Sequence, residues 1–247
     1  MSFGHEKDVL TEISQVLPVE GRFCAPCSVE LACHEPRDAR NRLLYALVAS
    51  TIKRGGDVLW LNFGELSFKR LFDLIDADTD LLQKHLHVIP VHSLPAVCAV
   101  LRQLRQYLKN ESSGQAGVFA GRFQTLRLLV LEEFSPVARN ARSIAVAAGK
   151  TDARQRFRGE ELGDDLRALL SQLRALNRVP VIFTTTILQR DEGHPLGPTW
   201  DAIAQIRLHV RDSSRHEGGV VVSVDTSPYQ AKGTKVLLDE TTLGPEL

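Results

Sequence analysis

The stretch SVELACHEPRDARNRLLYAL, residues 28–47, decides the fold class that we expect for this chain. It has the pattern of a buried strand, a loop and a buried helix. In α/β proteins that bind nucleotides, the phosphate loop lies between such a strand and such a helix. The loop within 33–40 is therefore the first place to look for nucleotide chemistry.

The phosphate-loop pattern G-x-x-x-x-G-K-[ST] is degenerate in this loop. In that pattern glycines free backbone N–H groups, a lysine reaches the phosphates and a hydroxyl holds Mg²⁺. The best gapless alignment puts Cys33 on the first glycine; the last three positions are Asp38, Ala39 and Arg40. Moving the alignment by one residue puts Arg40 on the lysine and Asn41 on the hydroxyl, but then no glycine matches. Because Asp38 would also repel a phosphate, we expect no productive ATP hydrolysis.

Length and composition are those of one large α/β domain. The chain has 247 residues, of which 43% are hydrophobic and 24% charged, as in an ordinary soluble globular protein. The formal net charge is zero, so contact with nucleic acid would need a local basic patch. No run reaches the ~18 apolar residues of a membrane span, and the N-terminus lacks the apolar core of a signal peptide. We therefore expect no membrane contact and a location in the cytosol or nucleus.

Short apolar runs alternate with helical periodicities along most of the chain. The predicted strands are VELAC (29–33), DVLWLNF (57–63), LHVIPV (86–91), LRLLVLE (126–132) and VPVIFTTTI (179–187). Leucine and valine stripes predict helices within 94–109 and 160–178. Strands that are apolar on both faces and alternate with helices predict a mostly parallel sheet covered on both sides.

The end of the chain has a different pattern. Apolar and basic residues alternate over IRLHVR (206–211), as in a half-exposed antiparallel strand. A glycine turn then leads into VVVSVD (220–225), and KVLLD (235–239) predicts one more strand. We expect an N-terminal helical segment over 1–19 and a single core domain over 20–247 that ends in antiparallel strands.

The cysteines leave three interpretations open. Cys24-Ala-Pro-Cys27 is a C-x-x-C pair that Cys33 follows closely, so a zinc site or a redox dithiol can be considered. No second C-x-x-C or H-x₃₋₅-H completes a zinc set, and redox motifs open a helix after a strand, whereas this one precedes a strand. Reduced, partly buried thiols of an intracellular protein are the third interpretation, and we expect no bound metal.

The segment 139–159 is strongly basic. It has one acid, Asp152, and six cations, which are Arg139, Arg142, Lys150, Arg154, Arg156 and Arg158. Arg and Lys side chains in loops neutralise phosphates without reading bases, and Phe157 could stack on an unpaired base. The segment therefore predicts contact with DNA; the alternatives are a solvated loop and a loop that binds an acidic partner.

The order of these features resembles the core of the RecA-like recombinases over roughly residues 20–244. Residues 30–50 have the position of the Walker A strand, loop and helix, and LLVLE (128–132) is similar to a Walker B strand with Glu132 in place of aspartate. LGPTW (196–200) and IRL (206–208) resemble a signature in the last third of the eukaryotic recombinase paralogues. Among these relatives are the ATPase-less subunits of Shu-type complexes.

This resemblance implies a RecA-like fold of the P-loop NTPase type, with a mostly parallel sheet flanked by helices and an antiparallel C-terminal extension. It also implies a degenerate nucleotide site that binds no cofactor, made of Cys33, Asp38, Ala39, Arg40 and Glu132. In the family the first DNA-contacting loop corresponds to the basic segment, and the second corresponds to 189–198, which contains Arg190.

The function implied is that of a nuclear, non-catalytic recombinase paralogue in DNA repair by homologous recombination. It would form a heterodimer with a second RecA-like subunit, bind single-stranded or forked DNA, and promote loading of the recombinase filament at DNA damage. One alternative is an ATPase-less RecA-like subunit of an Elongator-type tRNA-modification complex. Another is a residual ATPase that uses Arg40 in place of the lysine.

Overall fold

In the computed structural model, the chain forms a mixed α/β structure around one sheet. The described residues are 28–34, 36–63, 68–75, 78–112, 126–133, 166–173, 175, 179–187, 203–214, 216, 218–227 and 230–243. The predicted helical segment 1–19 lies outside them, and the assignment of 20–247 to a single domain stays a prediction.

The strands of the sheet are β1 (Ser28–Cys33), β2 (Asp57–Asn62), β3 (Leu86–Pro90), β4 (Leu126–Glu132), β5 (Val181–Thr186), β6 (Ile206–Asp212), β7 (Val220–Thr226) and β8 (Lys235–Leu238). The helices are α1 (Asp38–Lys53), α2 (Phe68–Leu74), α3 (Thr79–His85), α4 (Leu94–Ser112) and α5 (Glu240–Leu243), and residues 166–173 are also helical. All the strands predicted from the sequence are present.

The spatial order of the described strands is β3-β2-β4-β5-β1-β6-β7-β8. Every neighbouring pair from β3 to β6 is parallel, whereas β7 and β8 pair antiparallel. The expected mostly parallel sheet with an antiparallel C-terminal extension is thus confirmed. Because β1, β4 and β5 are adjacent and parallel, their carboxyl ends lie together at one edge.

Two apolar cores lie on opposite faces of the sheet. On one face, the leucines of α1 pack over β1, β2, β4 and the C-terminal strands, together with α2 and α3. On the other face, α4 and the helical segment 166–173 cover β2, β4 and β5. Leu166, Leu169, Leu170 and Leu173 are all buried there, so the leucine stripe is confirmed where the structure describes it. Within the described residues, no helix is long and apolar enough to cross a membrane.

Candidate functional site

The candidate site lies at the carboxyl edge of β1, β4 and β5, where the first turn of α1 meets the strand ends. α/β proteins place ligands at this edge because the strand ends and helix N-termini converge there. The three last aligned positions of the degenerate loop are the first residues of α1. Helix geometry turns Ala39 into the apolar core and leaves Asp38 exposed, whereas Arg40 is directed at the strand ends.

Arg40 is completely buried, with 0% of its surface exposed. Its Nη2 atom forms an ion pair with Glu133 and donates a hydrogen bond to Asn41 Oδ1 at 2.9 Å. Its Nη1 atom donates to Thr186 Oγ1 at 3.2 Å, and Nε donates to Asn41 at 3.3 Å. All three nitrogens of the guanidinium therefore have acceptors within the protein.

Glu133 reaches Arg40 because the backbone turns sharply at the end of β4. Its φ angle of 53° lies in the left-handed region, which costs a non-glycine residue about 1–2 kcal/mol. The backbone N–H of Glu133 donates to Thr184 Oγ1 at 2.7 Å, and this bond holds the turn. Thr186 Oγ1 donates to the Glu133 carboxylate at 3.2 Å, and Arg37 Nη1 lies 3.5 Å from it. The carboxylate is thus surrounded by a buried and a half-exposed arginine.

Glu132 precedes Glu133 but has different surroundings. It is 4% exposed and accepts a hydrogen bond from Trp60 Nε1 at 2.9 Å. Burial raises the pKa of Glu132 to about 7, outweighing the Trp60 bond and the charge of Arg40, which lower it. Near neutral pH, Glu132 therefore holds a proton far more often than an ordinary glutamate does.

Arg37, Arg40, Glu132, Glu133 and Thr186 form a cluster at this edge of the sheet. The Glu133 carboxylate pairs with the buried Arg40 and with the half-exposed Arg37. An Mg-nucleotide site needs carboxylates available to the metal, and a lysine and a hydroxyl available to the phosphates. Here Glu133 and Arg40 form an ion pair with each other, so the arrangement is an internal ion-pair cluster.

The structure brings only some residues of the predicted degenerate nucleotide site together. Arg40 and Glu132 lie in the cluster, where the Arg40 charge acts on the Glu132 carboxyl. Cys33 is a buried free thiol at the end of β1, and Asp38 and Ala39 do not contribute side chains to the cluster contacts described above. The alignment assigned no role to Glu133, Thr186 or Arg37, which also make contacts in the cluster. The sequence signal of Glu133 and Thr186 is their place at the end of a predicted strand.

A second buried ion pair lies across β1 and β6. Glu30 is 3% exposed; its carboxylate accepts a hydrogen bond from Arg207 Nε at 2.7 Å and one from Thr185 Oγ1 at 2.5 Å. Arg207 belongs to the signature segment IRL. In the described structure it neutralises a carboxylate inside the sheet.

The predicted DNA-contacting residues lie outside the described residues; they are Arg139, Arg142, Lys150, Arg154, Arg156, Arg158 and Arg190. The two segments follow β4 and β5 in the sequence. The basic segment begins six residues after Glu133, and the segment 189–198 begins three residues after Thr186. Arg40 contacts both Glu133 and Thr186.

Comparison with known proteins assigns no family or function to this site. No protein-family model matches the chain, and no curated protein gives a significant sequence match. Within the described part of the chain, no group of His, Cys, Asp and Glu side chains could hold a metal ion. Cys24 and Cys27, the candidate zinc or redox pair, lie outside that part.

Proposed function

We propose that this protein is a non-catalytic RecA-like recombinase paralogue in which an internal ion pair occupies the place of the nucleotide. The observation that carries the proposal is the buried Arg40 guanidinium, bound to Glu133 and Thr186 at the carboxyl edge of the sheet. The strand–loop–helix of residues 28–47 and the acidic end of β4 meet at this edge, as a RecA-like fold requires. The collinear motifs of the sequence support the same assignment.

The contacts of Arg40 favour a non-catalytic protein over a residual ATPase. To replace the missing lysine, Arg40 would have to exchange its acceptors for phosphate oxygens. Glu133 would then lose its buried partner, and breaking a buried pair costs about 3–5 kcal/mol. Glu132, with its raised pKa, would also have to release its proton to bind Mg²⁺, and this requirement weakens binding below neutral pH. Both effects oppose binding of Mg-ATP.

DNA contact is the activity that we propose for the basic segment and Arg190. The cluster supports this role because Arg40 joins the two strand ends from which both segments leave. In this proposal, the ion pair orders those strand ends without nucleotide. DNA binding is then independent of ATP, and a second RecA-like subunit completes the assembly that loads the recombinase in the nucleus.

The test is the salt dependence of binding to single-stranded DNA, with and without Mg-ATP. Alanine at Arg154, Arg156 and Arg158 is expected to weaken binding to all sequences alike. It should lower the slope of log affinity against log salt by roughly 0.7 per lost phosphate contact. The matched control replaces Lys53, Lys69 and Lys84, three exposed lysines on helices, and should keep the slope.

The outcomes separate the candidate functions. An unchanged slope and affinity in the arginine variant would overturn the DNA proposal. If that variant instead loses a partner protein on co-purification, the segment docks a protein. A strong preference for tRNA over single-stranded DNA would favour the tRNA-modification alternative, and binding that needs Mg-ATP would overturn the nucleotide-independent role.

A further inference from the structure

The C-terminal strands leave one face of the sheet without a helix in the described structure. Val220, Val222 and Val224 of β7 face α1 and belong to the first core. The second core, on the opposite side, has no member from β6, β7 or β8. We call this opposite side of β6–β8 the open face.

Two rows of side chains cross the open face. The strand register aligns His209, Ser223 and Lys235 in one row and Arg211, Val221 and Leu237 in the next. Residues that are paired directly across antiparallel strands project on the same face, so each row is continuous. Val221 is half-buried, and Leu237 beside it is 42% exposed, the highest exposure of any large apolar side chain among the described residues.

The charge left uncompensated on these rows is positive. The described acids beside these rows have other partners: Glu30 pairs with Arg207, Asp212 with Arg42 and Asp225 with Lys232, and Asp239 accepts hydrogen bonds from Thr242. Arg211 and Lys235 are exposed and form no salt bridge with any described residue. An apolar strip therefore lies between two exposed cations.

We infer that these two rows form a docking surface for an acidic segment of a partner protein that also carries an apolar side chain. Charge complementarity argues for the acids, since Arg211 and Lys235 would pair with carboxylates. Val221 and Leu237 argue for the apolar side chain, because a partner buries such a strip only by covering it with carbon. Nucleic acid fits less well, since the rows contain no Phe, Tyr or Trp on which a base could stack.

The experiment selects random short peptides, displayed on phage, on the full-length protein. The selected peptides are then synthesised, and their affinities are measured by fluorescence anisotropy at several salt concentrations. The test variant is Arg211→Glu with Lys235→Glu, and Leu237→Asp tests the apolar strip separately. The control, Lys69→Glu with Lys84→Glu, makes the same change of charge on α2 and α3, which cover the other face. The milder pair Arg211→Gln and Lys235→Gln serves if the reversed charges disturb folding.

We expect the selection to yield acidic peptides that carry an apolar residue. Their affinity for the protein should fall at least about tenfold in each test variant and stay unchanged in the control. Peptides that are not acidic, peptides that bind the test variants as well as the wild type, or no enrichment would overturn the inference. Loss of affinity for an oligothymidylate in the same variants, without an effect on peptides, would identify a nucleic-acid surface instead. The variant with alanine at Arg154, Arg156 and Arg158 tests the proposed DNA function separately.

Discussion

At the scale of single residues, Arg40 decides what the carboxyl edge of the sheet can do. A guanidinium that is removed from water is stable only where acceptors replace its hydration, and Glu133, Thr186 and Asn41 provide them. These contacts occupy the guanidinium N–H donors that could otherwise bind a phosphate. In the described structure, Arg40 is therefore part of an internal hydrogen-bond and ion-pair network at this edge.

Replacing Arg40 with alanine is expected to lower the free energy of unfolding by about 3–5 kcal/mol. The physical reason is that Glu133 loses its buried partner and keeps only the half-exposed Arg37, 3.5 Å away. Urea unfolding followed by circular dichroism measures the loss. The double variant Arg40→Ala with Glu133→Ala should be more stable than the single one, because it removes the uncompensated charge.

Arg42→Ala is the matched control for this prediction. Arg42 is also buried and pairs with Asp212 at 2.6 Å, but half of the Asp212 side chain is exposed. Water can therefore solvate Asp212 when its partner is removed, and the loss of stability should be smaller than for Arg40→Ala. Equal losses would contradict the importance that we assign to the buried charge of Glu133.

Glu132 makes stability depend on pH in a defined direction. Burial raises its pKa from 4.5 to about 7, so the folded chain binds this proton more tightly than the unfolded chain does. Between pH 4.5 and about 7, folding takes up a proton, and the free energy of unfolding falls as the pH rises through this range. The Glu132→Gln variant keeps the size of the side chain and removes the titration.

We therefore expect the stability of the wild type, relative to Glu132→Gln, to fall by about 3 kcal/mol between roughly pH 5 and pH 8. Denaturant unfolding of both proteins at several pH values gives this difference, in which the titrations that they share cancel. A difference that is constant with pH would show that Glu132 has an ordinary pKa.

At the scale of elements, the Glu30–Arg207 pair joins β1 to β6 at the centre of the sheet. The two residues are direct neighbours in the parallel register, and Thr185 of β5 donates to the same carboxylate. The pair thus links three strands through their side chains. It accounts for the charged residue within the otherwise apolar strand β1.

Arg207→Ala is expected to destabilise the protein by about 3 kcal/mol, because Glu30 stays buried and loses the cation that compensates its charge. Arg211→Ala, four residues further along β6 and exposed, should change stability by less than about 0.5 kcal/mol. Thermal and urea unfolding of both variants provide the comparison. Similar effects of the two substitutions would contradict the role of the Glu30–Arg207 pair.

At the scale of the whole molecule, the proposed inability to bind Mg-ATP predicts how the Tm responds to this ligand. A ligand that binds only the folded state raises the unfolding midpoint in proportion to the logarithm of its concentration. We expect millimolar Mg-ATP to leave the Tm of this protein unchanged, because Arg40 and Glu133 bind each other. Differential scanning fluorimetry checks this, with Arg40→Ala as the variant in which that mutual contact is removed. A rise in Tm that depends on the ATP concentration and is lost in Arg40→Ala would contradict the proposal.

The sequence alone was sufficient to predict a mixed α/β fold with a mostly parallel sheet and antiparallel C-terminal strands. The predicted strand LRLLVLE is β4 with the same bounds, and the alternation in IRLHVR places Ile206, Leu208 and Val210 in the core. These predictions succeed because apolar periodicity is a local property: it depends on which neighbouring residues share a face. The absence of glycine and lysine from 33–40 is likewise visible in the sequence.

The pairing of the charged residues, by contrast, depends on tertiary structure. Arg40 and Glu133 are 93 residues apart, and Arg207 and Glu30 are 177 apart, so neither pair has a local signal. They meet because the strand order brings β1 next to both β5 and β6, and because the left-handed turn directs Glu133 away from Glu132. A buried charge takes whichever partner the packing brings close, and that choice depends on the whole sheet.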